Sequence, residues 1–140
     1  MPTKRHLKVA TVQMHASEDI EVNTKKIVSY LKSLAKERVD VAAFHKGVLF
    51  GYSCRPAFWW RFDMGRIEKA ERQILRSCRQ QKIEAVVGTV HEEADTRYNS
   101  LLVVDRDGSL KGRYGKIQLV GEKWCQPAQH LPIAAWVAVS

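Results

Sequence analysis

The sequence predicts an α/β protein, with helices layered on at least one face of a sheet. Two observations predict it. Short β-branched and apolar runs alternate along the chain with longer stretches whose apolar residues recur every three or four positions. Late in that alternation, Asp107-Gly108 stands between two strand-like runs, a pair that favours a tight hairpin.

Leu7 to Met14, LKVATVQM, reads as the first strand because β-branched residues recur there with partial alternation. The segment ASEDIE then offers Ser17 as a helix cap, ahead of three acids suited to the positive end of a helix. That helix runs to about Arg38 and carries Ile27, Leu31 and Leu34 on one face. VDVAAF, Val39 to Phe44, is a nearly continuous apolar run, which suits a strand covered on both faces.

Gly47 to Phe62 reads as irregular and aromatic, with Pro56, Phe58, Trp59 and Trp60. A connection of that length is either functional or packed by its own side chains. The Trp59-Trp60 pair is expected to pack onto the domain. A second helix is predicted from Met64 to Gln81, with Ile67, Ala70, Ile74 and Cys78 in register. IEAVVGTV reads as the third strand and YNSLLVVD as the fourth, and the Asp107-Gly108 hairpin leads to a strand toward Tyr114. The final nine residues, PIAAWVAVS, are apolar and stop abruptly, as though a fold were left incomplete.

Bulk properties exclude several classes. A chain of 140 residues with 45% hydrophobic and 27% charged residues suits one soluble domain with a real core. Nothing approaches the roughly 18 apolar residues of a membrane span. The N-terminus is basic but lacks the apolar stretch of a secretory signal. Cys54, Cys78 and Cys125 are odd in number and show no CxxC spacing, so neither a disulfide framework nor a zinc site is expected, and a reducing cytoplasm fits best. The net charge of +8 comes from Lys and Arg spread along the chain, as in the two predicted helices, where they stand at helical spacing with acids between them. That pattern reads as solvated helix faces, and no nucleic-acid-binding signature accompanies it.

At the end of VDVAAF, where a strand could hand residues to a site, stand His45 and Lys46, two basic groups and no carboxylate. This stretch and three others resemble, in the right order, the nitrilase or carbon–nitrogen hydrolase superfamily. KVATVQM is similar to that family's opening strand, followed by a helix with an Asn such as Asn23. VDVAAFHKGVLFGY is similar to its strand ending in Phe-Pro-Glu and leading to Gly-Tyr. RYNSLLVVDRDGSLKGRYGKIQL resembles its Tyr-Asn-Ser strand, Asp-Gly hairpin and Tyr-Arg-Lys-x-His-Leu motif, and GEKWCQPAQHLP resembles the Glu-Lys-x-x-x-x-Pro-Gly loop that follows.

The resemblance covers roughly residues 7–133, the N-terminal half of a family domain. It implies an incomplete α-β-β-α sandwich, with one sheet and helices on one face of it. Residues 1–133 are then a partial domain, and 134–140 a divergent apolar tail.

The resemblance also implies a chemistry, hydrolysis of non-peptide carbon–nitrogen bonds by a Glu-Lys-Cys set without a cofactor or metal. In that scheme a cysteine thiolate attacks an amide or nitrile carbon, a glutamate shuttles the proton, and a lysine stabilises the developing oxyanion. Carried over, Lys116 in YGKIQL occupies the oxyanion-stabilising position and Glu122 in GEKW the second-glutamate position. Gly115 and Gln118 depart from the usual Arg and His. Lys46 occupies the general-base position, and the nucleophile has no counterpart. Lysine is protonated at neutral pH and has no lone pair with which to accept a proton. His45 has the right chemistry for a base, but neighbouring strand residues point to opposite faces. It reads as a partly buried strand-end histidine. Cys54 and Cys125 read as small apolar fillers, and Cys78 as core.

The expectation is therefore a truncated, inactive relative of amidases and nitrilases. The alternatives are a fragment of an active enzyme taking a small amide or nitrile, and a non-enzymatic assembly module. Half a sandwich exposes an apolar sheet face, which predicts a homo-oligomer or pairing with a related full-length chain. No nucleic-acid or membrane partner is expected.

Overall fold

The computed structural model describes residues 6–129. The predicted tail, 134–140, lies outside them. The described chain runs β1 (Val9–Val12), α1 (Ile20–Lys36), β2 (Val41–Phe44), α2 (Pro56–Trp60), α3 (Met64–Gln81), β3 (Glu84–Glu93), β4 (Thr96–Val104) and β5 (Leu110–Gly115). The five strands form one sheet in chain order. β1, β2 and β3 are parallel, each joined to the next through a helical crossover, whereas β4 and β5 return antiparallel.

Helices cover one face of this sheet, as the sequence predicts. Strand alternation turns Ala42 and Phe44 of β2, Ala85 and Val87 of β3, and Leu102 and Val104 of β4 toward the helices. There they share one buried cluster with Ile27 and Leu31 of α1 and Ile67, Ile74 and Cys78 of α3. Each fully buried aliphatic side chain contributes about 1.5–3 kcal/mol. On the opposite face Val9 is 57% exposed, and Ala43, Val86, Leu101 and Tyr114 are half-buried.

Local chemistry sets the helix ends. Asp19, not Ser17, caps α1, its carboxylate accepting from the Val22 amide at 3.1 Å. Ser17 instead takes the Asp19 amide on its hydroxyl. Asp63 caps α3, and Lys82 closes it in the left-handed conformation. The aromatic segment is not wholly irregular: Pro56 sits in the first turn of the short helix α2, where its missing N–H costs nothing.

Two further differences concern hairpins. The β3–β4 connection, which the sequence did not mark as a turn, is a two-residue hairpin at Ala94-Asp95, both with positive φ (48° and 60°). The Asp107-Gly108 hairpin forms as expected, but as a longer loop between Val104 and Leu110 with a register shift beside it.

Three interactions fix the part of the sheet that carries the site. Buried Asn23 donates to the carbonyls of Ser17 (2.6 Å) and Leu49 (3.0 Å), tying α1 to the chain beyond β2. Gly88 of β3 lets that chain come close, for a Cβ there would lie 2.4 Å from the Gly47 nitrogen and from the His45 oxygen. Glu71 of α3, also buried, accepts from the Thr89 hydroxyl at 2.7 Å and from both terminal nitrogens of Arg113 at 3.0 and 2.5 Å. This fork holds β5, and so the residues just past it, in place.

Candidate functional site

Past the end of β5, the Lys116 amide donates to the Asn99 carbonyl at 2.7 Å, continuing the strand pairing by one bond. The chain then folds back, because the Ala128 amide donates to the Lys116 carbonyl at 3.0 Å and the Gln126 amide to Arg97 at 2.8 Å. The side chain of Glu122, 2% exposed, is held inside this loop. Its Oε1 accepts from the Lys116 ammonium and, at 2.6 Å, from the Tyr52 hydroxyl, while Oε2 accepts from the Val120 amide at 2.5 Å. Lys46, exposed at the end of β2, places its ammonium 4.3 Å from the centre of the Tyr52 ring, a cation–π contact.

The three site residues expected from the sequence therefore meet around a fourth, Tyr52. Lys116 and Glu122 are in direct contact, and Lys46 reaches them through the tyrosine. Tyr52 stood in the stretch that ends in Gly-Tyr, but no local signal pairs it with a glutamate 70 residues away.

Charge around the cluster follows from these contacts. Lys116 chiefly, and then Tyr52, hold the Glu122 carboxyl down to about 2. Burial first, and the hydrogen bond to Glu122 second, push the Tyr52 phenol up. Glu122 is thus an ionised carboxylate that accepts from three donors, and Tyr52 is a neutral hydrogen-bond donor.

An aromatic stack anchors the loop. Trp124 lies on Trp59 with ring centres 4.2 Å apart and planes 9° from parallel, and Phe50 meets both edge-on. Trp59 also donates from its indole to the Ser53 carbonyl at 2.7 Å. The tryptophan pair is split: Trp59 is 8% exposed and packs as expected, while Trp60 is 84% exposed.

The remaining candidates lie as follows. His45 is half-buried, its ring nitrogens 2.8 Å from the Met14 carbonyl and 2.9 Å from that of Lys46. Cys78 is core, and burial pushes its thiol up to about 12. Cys125 is buried, and that burial raises its thiol although Lys116 pulls the other way. Cys54 is exposed rather than a filler, because its loop turns outward after Ser53. Among the described residues, no group of three or more His, Cys, Asp or Glu side chains is gathered to hold a metal ion. No helix among them is long and apolar enough to cross a membrane.

A mixed sheet with helices on one face, and a half-buried Lys116 paired with buried Glu122 beyond its last strand, make this an α/β protein with a polar cluster at one end of the sheet. The carbon–nitrogen hydrolase family model matches residues 8–133, and the chain belongs to that family. An amidase from Nesterenkonia sp. superposes with a TM-score of 0.82 at 20% identity, over 89% of this chain and 49% of that one. A double mutant of the Nesterenkonia sp. AN1 amidase, solved in complex with acrylamide, gives 0.83 at 20% identity, over 93% of this chain and 51% of that one. At this identity the likeness is one of fold, and the chain spans about half the length of these structures. No curated protein matches it in sequence.

Proposed function

We propose that this chain is a carbon–nitrogen hydrolase half-domain that retains the lysine–glutamate pair of an amide-handling site but does not hydrolyse. Residues 1–133 form the partial domain and 134–140 a divergent tail. Lys116 takes the oxyanion-stabilising position and Glu122 orients it, while Lys46 stands at the position of the proton-shuttling acid. One observation carries the reading: every acidic or phenolic group at the site is committed. Glu122 is ionised and a weak base, its carboxyl held down to about 2 chiefly by Lys116, with Tyr52 and the Val120 amide as further donors, and the Tyr52 hydroxyl donates to Glu122. The group at the mouth is the Lys46 cation over the tyrosine ring. Among the described residues, no group at this cluster is basic enough to take a nucleophile's proton.

The ligand class that suits the pair is a small amide or nitrile, its carbonyl oxygen or nitrogen directed at Lys116. The test is ammonia release from butyramide, acrylamide and simple nitriles by the purified 140-residue chain. No release above the buffer blank is expected. Turnover abolished by thiol alkylation would overturn the reading.

The half-length match supports a second reading, in which this chain is part of a longer hydrolase whose remaining portion supplies the nucleophile. Turnover on adding the C-terminal half of a related amidase would favour it. In either case the half-exposed sheet face opposite the helices supports self-association or pairing with a related full-length chain in the cytoplasm. Sedimentation that shows only a monomer would count against such pairing.

A further inference from the structure

The outer side of α3 carries Arg72, Arg76 and Arg79, spaced four and three residues apart and so on one stripe of the helix. All three are exposed, and none pairs with a carboxylate among the described residues. Several other arginines of the fold are engaged, Arg66 with Glu21, Arg113 with Glu71 and Arg106 with Glu84, whereas exposed Arg38 and Arg61 are not ion-paired among the described residues. Like charges at this helical spacing repel one another, so the row weakens the helix that carries it.

The row borders a trough between α3 and the β4–β5 hairpin. Two depressions, of about 390 and 230 Å³, meet at Leu75. Arg76 and Arg79 flank the first, and Arg72 flanks the second, whose floor is Leu75, Leu102 and Leu110. Leu110 is 45% exposed there. The hairpin side is fixed: Gly108 has a φ of +82°, and a Cβ on it would lie 2.7 Å from the Arg79 Cβ and 2.8 Å from the Leu75 carbonyl. Acids stand at both ends. Glu68 and the Arg113-paired Glu71 border the second depression, and Asp107 the first, where its carboxylate takes the amide (2.8 Å) and hydroxyl (2.6 Å) of Ser109.

We infer that this trough binds an acidic peptide segment of a partner protein, with carboxylates on the arginine row and an aliphatic side chain on Leu75 and Leu110. Charge complementarity selects the acid, since guanidinium forks match carboxylates in two-point contact. The aliphatic floor selects a peptide over a free anion, which has nothing to bury on it. Among the described residues no aromatic lines either depression, so a single-stranded nucleic acid would find no ring there on which to stack its bases.

The test is fluorescence anisotropy of the full 140-residue chain with a labelled Glu-Glu-Leu-Glu-Glu-Leu-Glu-Glu peptide. Binding is expected, with at least tenfold weakening in the Arg72→Gln/Arg76→Gln/Arg79→Gln variant. A Lys25→Gln/Lys32→Gln/Lys36→Gln variant of α1 removes the same charge and should stay within twofold of the parent. Leu110→Ser should weaken this peptide severalfold while leaving an all-Glu octapeptide unchanged. The substituted residues are all exposed, so matched thermal melts separate lost binding from lost fold. No binding, equal weakening by the two triple variants, or tighter binding of a thymidine oligonucleotide of equal charge would each overturn the inference.

Discussion

Tyr52 and Glu122, 70 residues apart in the chain, are joined by a 2.6 Å hydrogen bond that closes the loop after β5 onto the loop after β2. The bond runs to a charged acceptor that is itself buried, so its loss leaves Glu122 short of a partner. Tyr52→Phe is expected to destabilise the fold by about 1–3 kcal/mol, measured by urea unfolding. An unchanged midpoint would mean that the two loops are held together elsewhere.

Glu122 also predicts how stability changes with acid. Its carboxyl titrates at about 2 in the folded chain against an ordinary 4.5, chiefly because of Lys116. A depressed folded value contributes stability that is present above about pH 4.5 and lost as the pH falls toward 2. Glu122→Gln should therefore be less stable than the parent at pH 7, with the gap narrowing through that acid window. Parallel stability curves for the two proteins across it would refute the assignment.

The two tryptophans that stand side by side should behave oppositely. Trp59→Ala removes a buried ring from the stack with Trp124 and is expected to cost about 3–5 kcal/mol. Trp60→Ala alters an exposed ring and should change stability by less than about 0.5 kcal/mol. Calorimetric melts of both variants make the comparison.

Gly88→Ala brings a methyl group against backbone atoms of His45 and Gly47 that have no side-chain freedom to yield. An overpacking cost of about 1–3 kcal/mol is expected, along with displacement of the turn that carries Lys46. A fall in the urea midpoint, together with altered amide shifts around Lys46 and Tyr52, would register both effects.

Thiol chemistry separates the three cysteines. Exposed Cys54 should react with iodoacetamide in the native protein, whereas Cys78 and Cys125, both buried, should react only after unfolding. Mass spectrometry should find one alkylated site before denaturation and three after. Labelling of Cys125 in the folded chain would show that the loop carrying Glu122 opens.

Much of the fold was legible in the chain itself. The bounds read for α3 coincide with those observed because Ile67, Ala70, Ile74 and Cys78 lie in register there, and the structure adds Asp63 as the cap at its start. The Ala94-Asp95 turn was not legible, since neither residue favours positive φ as glycine does. The nine-residue register between β3 and β4 imposes that conformation on them. Helix α2 was missed for a related reason. Its aromatic residues are indifferent helix formers, and packing of Trp59 against Phe50, Phe62 and Trp124 holds the turn.

Local sequence settled the two long helices, the five strands, their apolar faces and the family motifs, because these depend on residues a few positions apart. Only the tertiary structure decided that Lys46, Tyr52, Lys116 and Glu122 share one cluster, that Trp59 is covered while Trp60 is bare, and that an arginine row borders an aliphatic trough. Each of those depends on contacts between distant segments, set by sheet register and loop packing, and no local pattern encodes which distant partner a side chain will meet.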